Sequence, residues 1–199
     1  PYLLQKGRGG YRLGHDRIFD HMMLDGLEDA YEAGRSMGTF GEDCAAKYSF
    51  TRAQQDAFAT ASVQRAKAAT ESGAFAAEIV PVTVKTRAGE TVVSVDEGPG
   101  KVKLEKIATL KPAFKKDGTI TAASSSSIND GAAALVLMRQ STAQQLGSRP
   151  VARIVAHATH AQEPEWFATA PVGATHKVLA KAGWQVGDVD LWEINEAFA

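Results

Sequence analysis

The chain has 199 residues, 44% hydrophobic and 8% aromatic, and 22 Lys and Arg set against 23 Asp and Glu leave a net charge of −1. That balance makes no case for nucleic acid or an anionic membrane as partner, and no apolar run approaches the roughly 20 residues that span a bilayer. One cysteine, Cys44, rules out an internal disulfide framework and a multi-cysteine metal site, and no metal is expected.

What remains is an α/β globular chain, long enough for one large or two small domains. The opening Pro1–Lys6 carries neither a signal-type apolar stretch nor a transit-type amphipath, so a cytoplasmic setting is expected. The missing initial Met fits a segment of a longer protein. Residues 1–16 are rich in Gly and basic residues and read as an irregular arm or hairpin. From Arg17 the spacing of Phe19, Met22, Met23, Leu27 and Ala30 predicts a helix with one apolar stripe. Thr51-Arg52-Ala53-Gln54 is a capping box, in which hydroxyl and amide satisfy two orphan N–H groups reciprocally. It opens a second helix through Ala57, Phe58, Ala61, Ala66 and Ala69, with Gly73 as its stop.

Val80, Val82 and Val84 alternate with polar residues, Arg87–Glu90 turns, and Val92, Val93 and Val95 return, which predicts a β-hairpin. Lys101–Lys116 is the one dense basic segment: either a solvated face or a site for the phosphates of a small anionic ligand. Thr119–Ala123 reads as a strand leading into Ser124–Ser127 and Asp130-Gly131, a turn of small hydrogen-bonding residues that lets a ligand approach the backbone. A flexible linker is the other meaning of such a Ser run. Ala132–Met138 reads as a buried strand or a helix–strand join.

Ser141–Gln144 is a further capping box, with Gly147 closing its helix. Val151–Ala158 reads as a strand, 163–171 as a loop, Thr175–Ala182 as a helix stopped by Gly183, and Val189–Glu193 as a strand. Strand, helix and strand in succession imply βαβ units and a mixed or parallel sheet. Asn195 falls where the last strand ends; both a helix N-cap and a catalytic amide suit that place.

Five stretches carry a resemblance: Met37-Gly38-Thr39, residues 49–59, Leu110–Phe114, Ile128–Ala134 and Asn195–Ala199. In this order and spacing they resemble the middle of a thiolase, more narrowly the bacterial acetoacetyl-CoA or β-ketoacyl-CoA thiolases. The resemblance implies a thiolase-like fold of two layered α/β halves with an inserted α+β loop domain. Residues 1–122 would form that coenzyme A-covering domain with its oligomerisation arm, 123–148 the end of the first half, and 150–199 the start of the second. It implies a homo-oligomer, with a tetramer favoured, and no resident cofactor.

The implied reaction is a reversible Claisen condensation, with acetyl-CoA, acetoacetyl-CoA or a short β-ketoacyl-CoA, and coenzyme A as substrates and products. Asn195 stands at the position of the asparagine that holds the oxyanion-hole water. Leu27, Met37, Phe114, Ser125, Ser126, Ile128, Ala197 and Phe198 carry over as coenzyme A contacts. Lys101 stands in weakly for an absent arginine, whose planar fork it lacks. Ala123-Ser124 replaces a Gly-Asn, Ser127 a Gly, and Ser36 a histidine. The nucleophilic cysteine, the base cysteine and the histidine of the family are expected outside these residues, so the 199 residues alone are expected to be inactive. A non-catalytic thiolase-like protein that holds acyl-CoA or lipid is the alternative, and a folded assembly unit is a third. Cys44 is expected to be a small buried residue, and His157 and His160 to lie near the loop of the second half.

Overall fold

The computed structural model describes all residues 1–199. The chain divides into two compact units, one of Pro1–Ser126 with Glu196–Ala199 and one of Ser127–Asn195.

In the first unit, β1 (Tyr2–Leu3) pairs antiparallel with β2 (Phe19–Asp20). The helix expected from Arg17 does not form. After β2 there is one turn of π-helix, Met23–Leu27, and Glu28 is already extended at φ −111° and ψ 154°. Asp25-Gly26 at its centre explains the failure, since both residues disfavour a helix interior, and the apolar stripe has no partner to reward it. Helix α1 (Met37–Lys47) buries Gly38, Phe40, Gly41, Glu42 and Ala45.

Helix α2 (Arg52–Glu71) begins as the sequence predicts. The Thr51 side chain accepts from the Gln54 N–H, and the Gln54 side chain accepts from the Thr51 N–H at 2.8 Å. It ends before Gly73, whose φ of +71° is left-handed and suits glycine. Arg52 bridges Asp56 on its own helix and donates to the carbonyls of Ile107 at 3.0 Å and Leu110 at 2.9 Å. Lys67 donates to the Val102 carbonyl at 2.9 Å. The segment from Val102 to Leu110, most of it the 3-10 helix Leu104–Thr109, is thereby tied to α2.

The hairpin is present as β3 (Val82–Thr86) and β4 (Gly89–Val93), in register from Val82↔Val93 to Thr86↔Gly89, and both strands are exposed on both faces. A short helix α3 (Gly98–Lys101) leads into the basic segment, which is largely solvated, with Lys101 paired to Glu97 and Lys115 to Asp43. The core of this unit is Phe40, Ala45, Ala59, Ile107 and Ile120, with Thr121 fully enclosed. The predicted strand at Thr119–Ala123 is absent: no neighbour offers a ladder, Glu42 takes its N–H groups instead, and a 3-10 turn follows at Ala122–Ser124.

The second unit holds α4 (Gln140–Gln145) and α5 (Ala170–Ala182). The capping box expected at Ser141 is not made, because α4 starts two residues earlier, with Arg139 as N-cap and no side-chain cap. Helix α5 is longer than predicted. A 3-10 turn, Pro164–Thr169, leads into it, and Pro171 is tolerated in the first turn, where its missing N–H has no intrahelical partner. Gly183, at φ +71°, closes it as predicted.

Ala132–Met138, Val151–Ala158 and Val189–Glu193 are not strands here. The only sheets are the two antiparallel pairs, so the expected βαβ pairing is not made. A strand exists only through its neighbours, and these segments do not pair with one another. Their side chains are accordingly uncovered, with Val136 88% and Leu191 89% exposed. No helix is long and apolar enough to cross a membrane.

Candidate functional site: a two-stranded shelf carrying Phe114 and Phe198

Within the first unit, the Ser run meets the chain's last residues. The Ser126 N–H donates to the Ala197 carbonyl at 3.0 Å, the Ala199 N–H donates to the Ser124 carbonyl at 2.9 Å, and Ser125 forms an antiparallel bridge with Phe198. No helix begins after Asn195, so the N-cap reading fails: Ala197–Ala199 are drawn into this pairing instead. Ser124 is buried, and its hydroxyl accepts from the Thr121 N–H at 2.9 Å. The Ser125 hydroxyl donates to the Thr121 carbonyl at 2.8 Å, while Ser126 is exposed. Of the three, the Ser126 hydroxyl is left facing solvent and available to a ligand.

Phe198 projects from this shelf toward Phe114. Their rings meet edge to face, centroids 6.0 Å apart and planes at 88°, an arrangement the aromatic quadrupole favours. Phe114 lies over Gly38, where a Cβ would stand 2.3 Å from the ring atoms; Phe198 lies beside Gly41, where a Cβ would stand 3.2 Å from its ring and 2.7 Å from Ile120. The two glycines of α1 therefore make room for two apolar contacts that support the aromatic pair.

Leu27 and Met37 are brought into register by the antiparallel bridge between Glu28 and Ser36, whose next residues outward they are. Met37 is also the first residue of α1, one before Gly38. Leu27, Met37, Phe114, Ser125, Ser126, Ala197 and Phe198 thus succeed one another through direct contact, pairing or sequence adjacency in one unit. Lys101 is not drawn into that succession; it is exposed and held by Glu97 at 2.8 Å. Ile128 and Asn195 belong to the second unit, and both are exposed.

Cys44 lies in the second half of α1 and is half-buried, not enclosed as expected; burial pushes its thiol above the usual range, with nearby Lys47 as a lesser opposing influence. A thiolate nucleophile needs the reverse shift. In the second unit the His160 ring fills the space over Gly173, and its Nδ1 is buried without a partner. His157 is exposed and gives its carbonyl to Lys181 at 2.9 Å. His15, His21 and His176 are at the surface, with His21 beside Asp25.

The sequence did not single out Gly41, Glu42, Gly118 and Ile120. An acidic residue between the apolar positions Phe40 and Ala45 on one helix was the available signal, because such a residue either points out or has dedicated partners.

Residues 1–141 match the family model described as "Thiolase, N-terminal domain", and residues 148–199 match "Thiolase, C-terminal domain". The chain belongs to the thiolase family. It is 48% identical over 191 residues to an acetyl-CoA acetyltransferase of Paracoccus denitrificans, covering 96% of this chain and 49% of that protein. It is likewise 48% identical over 200 residues to a probable acetyl-CoA acetyltransferase of Dictyostelium discoideum, covering 100% and 48%. Among solved structures, the acetyl-CoA acetyltransferase from Syntrophomonas wolfei superposes with a TM-score of 0.88 at 41% identity, covering 100% of this chain and 50% of that one. This thiolase chain therefore spans about half the length of the relatives it matches. The α/β thiolase fold expected from the sequence is the fold of these neighbours.

Proposed function

We propose that this chain supplies the coenzyme A-covering part of an acetyl-CoA acetyltransferase, a thiolase that makes or cleaves acetoacetyl-CoA or a short β-ketoacyl-CoA. The observation that carries the reading is the shelf: seven of the residues the family resemblance assigns to coenzyme A lie along one continuous path in the first unit, with the Ser126 hydroxyl turned to solvent. The reading assigns residues 1–122 to the loop domain, 123–148 to the end of one half and 150–199 to the start of the other.

In this reading Phe114 and Phe198 form an apolar wall for the pantetheine and thioester end. Ser126 gives it a hydrogen bond, Leu27 and Met37 cover it from the loop domain, and Ala197 flanks its thioester end beside Phe198. Lys101 would lend charge to the nucleotide phosphates at the cost of its pairing with Glu97. Asn195 would hold the water that stabilises the oxyanion. Its neutral amide suits the task, because a carboxylate there would repel the charge that develops.

The reaction needs a thiolate to take an acetyl group from one acyl-CoA and release coenzyme A, and a base to take the α-proton of the next. Cys44 suits neither role, so the reading gives both cysteines and the histidine to the natural polypeptide beyond these 199 residues. The substrates would be coenzyme A thioesters, with no resident cofactor. A homo-oligomer, tetrameric by family analogy, and a cytoplasmic location in fatty acid metabolism complete the proposal.

The test is thiolysis of acetoacetyl-CoA by the full natural polypeptide in the presence of coenzyme A. Formation of two acetyl-CoA for each acetoacetyl-CoA consumed supports the reading. Coenzyme A binding without turnover would favour a non-catalytic thiolase-like binder, and the absence of binding would sink both.

A further inference from the structure

Glu42 lies beneath the shelf. Its carboxylate is 6% exposed. Oε1 accepts from the N–H of Ile120 at 2.9 Å and of Thr119 at 3.0 Å; Oε2 accepts from the Thr119 N–H at 2.9 Å and the Thr119 hydroxyl at 3.1 Å. Every partner is a donor, which suits a group whose ionised form only accepts. The Thr119 hydroxyl in turn accepts from Gln55 Nε2 at 2.8 Å, so α2 joins the same cluster. Gly118 leaves the space this requires, because a Cβ there would stand 2.2 Å from Glu42 Oε1.

Both sides of the shelf extend from this point. The Ile120 carbonyl accepts from the N–H of Ala113, the residue before Phe114, at 2.9 Å. The Ile120 side chain fills the space over Gly41 that it shares with the Phe198 ring. The next residues, Thr121 and Ser124, hold each other through both backbone and side-chain hydrogen bonds, and Ser124 then receives Ala199. Phe114 on one side and Phe198 on the other are therefore referenced to one buried carboxylate. That carboxylate sits on the helix that also begins with Met37.

We propose that Glu42 is a positioning residue for coenzyme A thioesters: it touches no substrate, but fixes Thr119–Ile120 and through them the spacing of Phe114 and Phe198. The proposal rests on the functional reading above. It differs from a purely stabilising role in one respect. A stabilising carboxylate changes the fraction folded, whereas a positioning one changes the affinity of the protein that remains folded.

The experiment compares Glu42→Gln with Arg52→Gln in the full natural polypeptide. Glutamine is nearly isosteric but turns an N–H₂ toward a backbone donor. Arg52→Gln removes the ties from α2 to Ile107 and Leu110 but touches none of the hydrogen bonds that Glu42 makes to Thr119 and Ile120. Both variants are expected to melt at a lower temperature. Measured well below either transition, the Kd for coenzyme A is expected to rise about tenfold in Glu42→Gln, the order of effect of a lost charge-assisted hydrogen bond. It is expected to stay unchanged in Arg52→Gln, and kcat at saturating substrate is expected to stay within about twofold in both, since neither residue meets the reacting atoms.

Amide hydrogen exchange gives a readout without ligand. Ala113, Ser126 and Ala199 should lose protection in Glu42→Gln and keep it in Arg52→Gln. An unchanged Kd in Glu42→Gln, or equal changes in both variants, overturns the proposal. If the unmodified protein binds no coenzyme A, the functional reading falls, and the exchange pattern alone decides whether Glu42 sets the shelf. Should Glu42→Gln fail to fold, Glu42→Asp, which keeps the charge on a shorter stem, takes its place with the same readouts.

Discussion

The Phe114 ring rests on the bare α-carbon of Gly38 and stands nearly perpendicular to the ring of Phe198. A methyl group at position 38 has nowhere to go, so Gly38→Ala must push Phe114 off its seat. Overpacking of this kind costs about 1–3 kcal/mol. The expected outcome is a lowered melting temperature together with weaker coenzyme A binding, read by thermal denaturation and calorimetric titration of the full polypeptide. Unchanged binding would mean that Phe114 is no part of the ligand wall.

Asp43 gives a pH dependence with a defined sign. The hydrogen bond from Lys115, aided by Arg35, holds its carboxyl below the usual value of 3.8 against some desolvation. A depressed carboxylate stabilises the fold above its unfolded pKa, and that stability disappears as pH falls through the folded pKa. Asp43→Asn should therefore lower stability at neutral pH, and the gap to the unmodified protein should narrow below about pH 4. Urea melts across that range would show it. Because the carboxylate is a third exposed, added salt should shrink the gap at neutral pH.

The start of α2 depends on one hydroxyl. Thr51→Ala removes the acceptor for the Gln54 N–H at 3.2 Å and half of the reciprocal box. About 1 kcal/mol is the expected loss, visible as a lower denaturant midpoint with little change in slope. Thr51→Ser should recover most of it.

Cys44 should be chemically quiet. With burial raising its thiol more than the nearby Lys47 lowers it, alkylation by iodoacetamide at neutral pH should be slower than that of a free thiol. Cys44→Ala should leave thiolysis by the full polypeptide unchanged. A large loss of kcat would return Cys44 to the chemistry and contradict the roles proposed above.

What could be read from the sequence was local. The Thr51 box, the hairpin from Val82 to Val93 and the left-handed stops at Gly73 and Gly183 are fixed by neighbours a few residues away, and each is where the pattern puts it. Apart from the unmade Ser141 box, the misses are elements that need distant partners. Ala132–Met138 and Val151–Ala158 carry the composition of strands, but a strand is made by another strand, and none pairs with them here. The failed helix at Arg17 shows the converse: periodicity without a surface to pack against is insufficient. The shelf was legible only through the family motifs, which named Phe114, Ser125 and Phe198 but not the carboxylate beneath them. Glu42 meets Thr119 across 77 positions, a separation no local pattern records.

The hairpin formed by β3 and β4 stands with neither face covered, and its turn carries Arg87 and Ala88 between Thr86 and Gly89. Opening it uncovers no core, so its ladder can part and reform while the packing around Ile107 and Ile120 stays closed. The Arg87–Ala88 bond is then a first point of attack for trypsin, and a nick there would leave Phe40, Ile107 and Ile120 enclosed. The same turn would accept an inserted tag or fluorophore, giving a reporter that leaves the shelf in place.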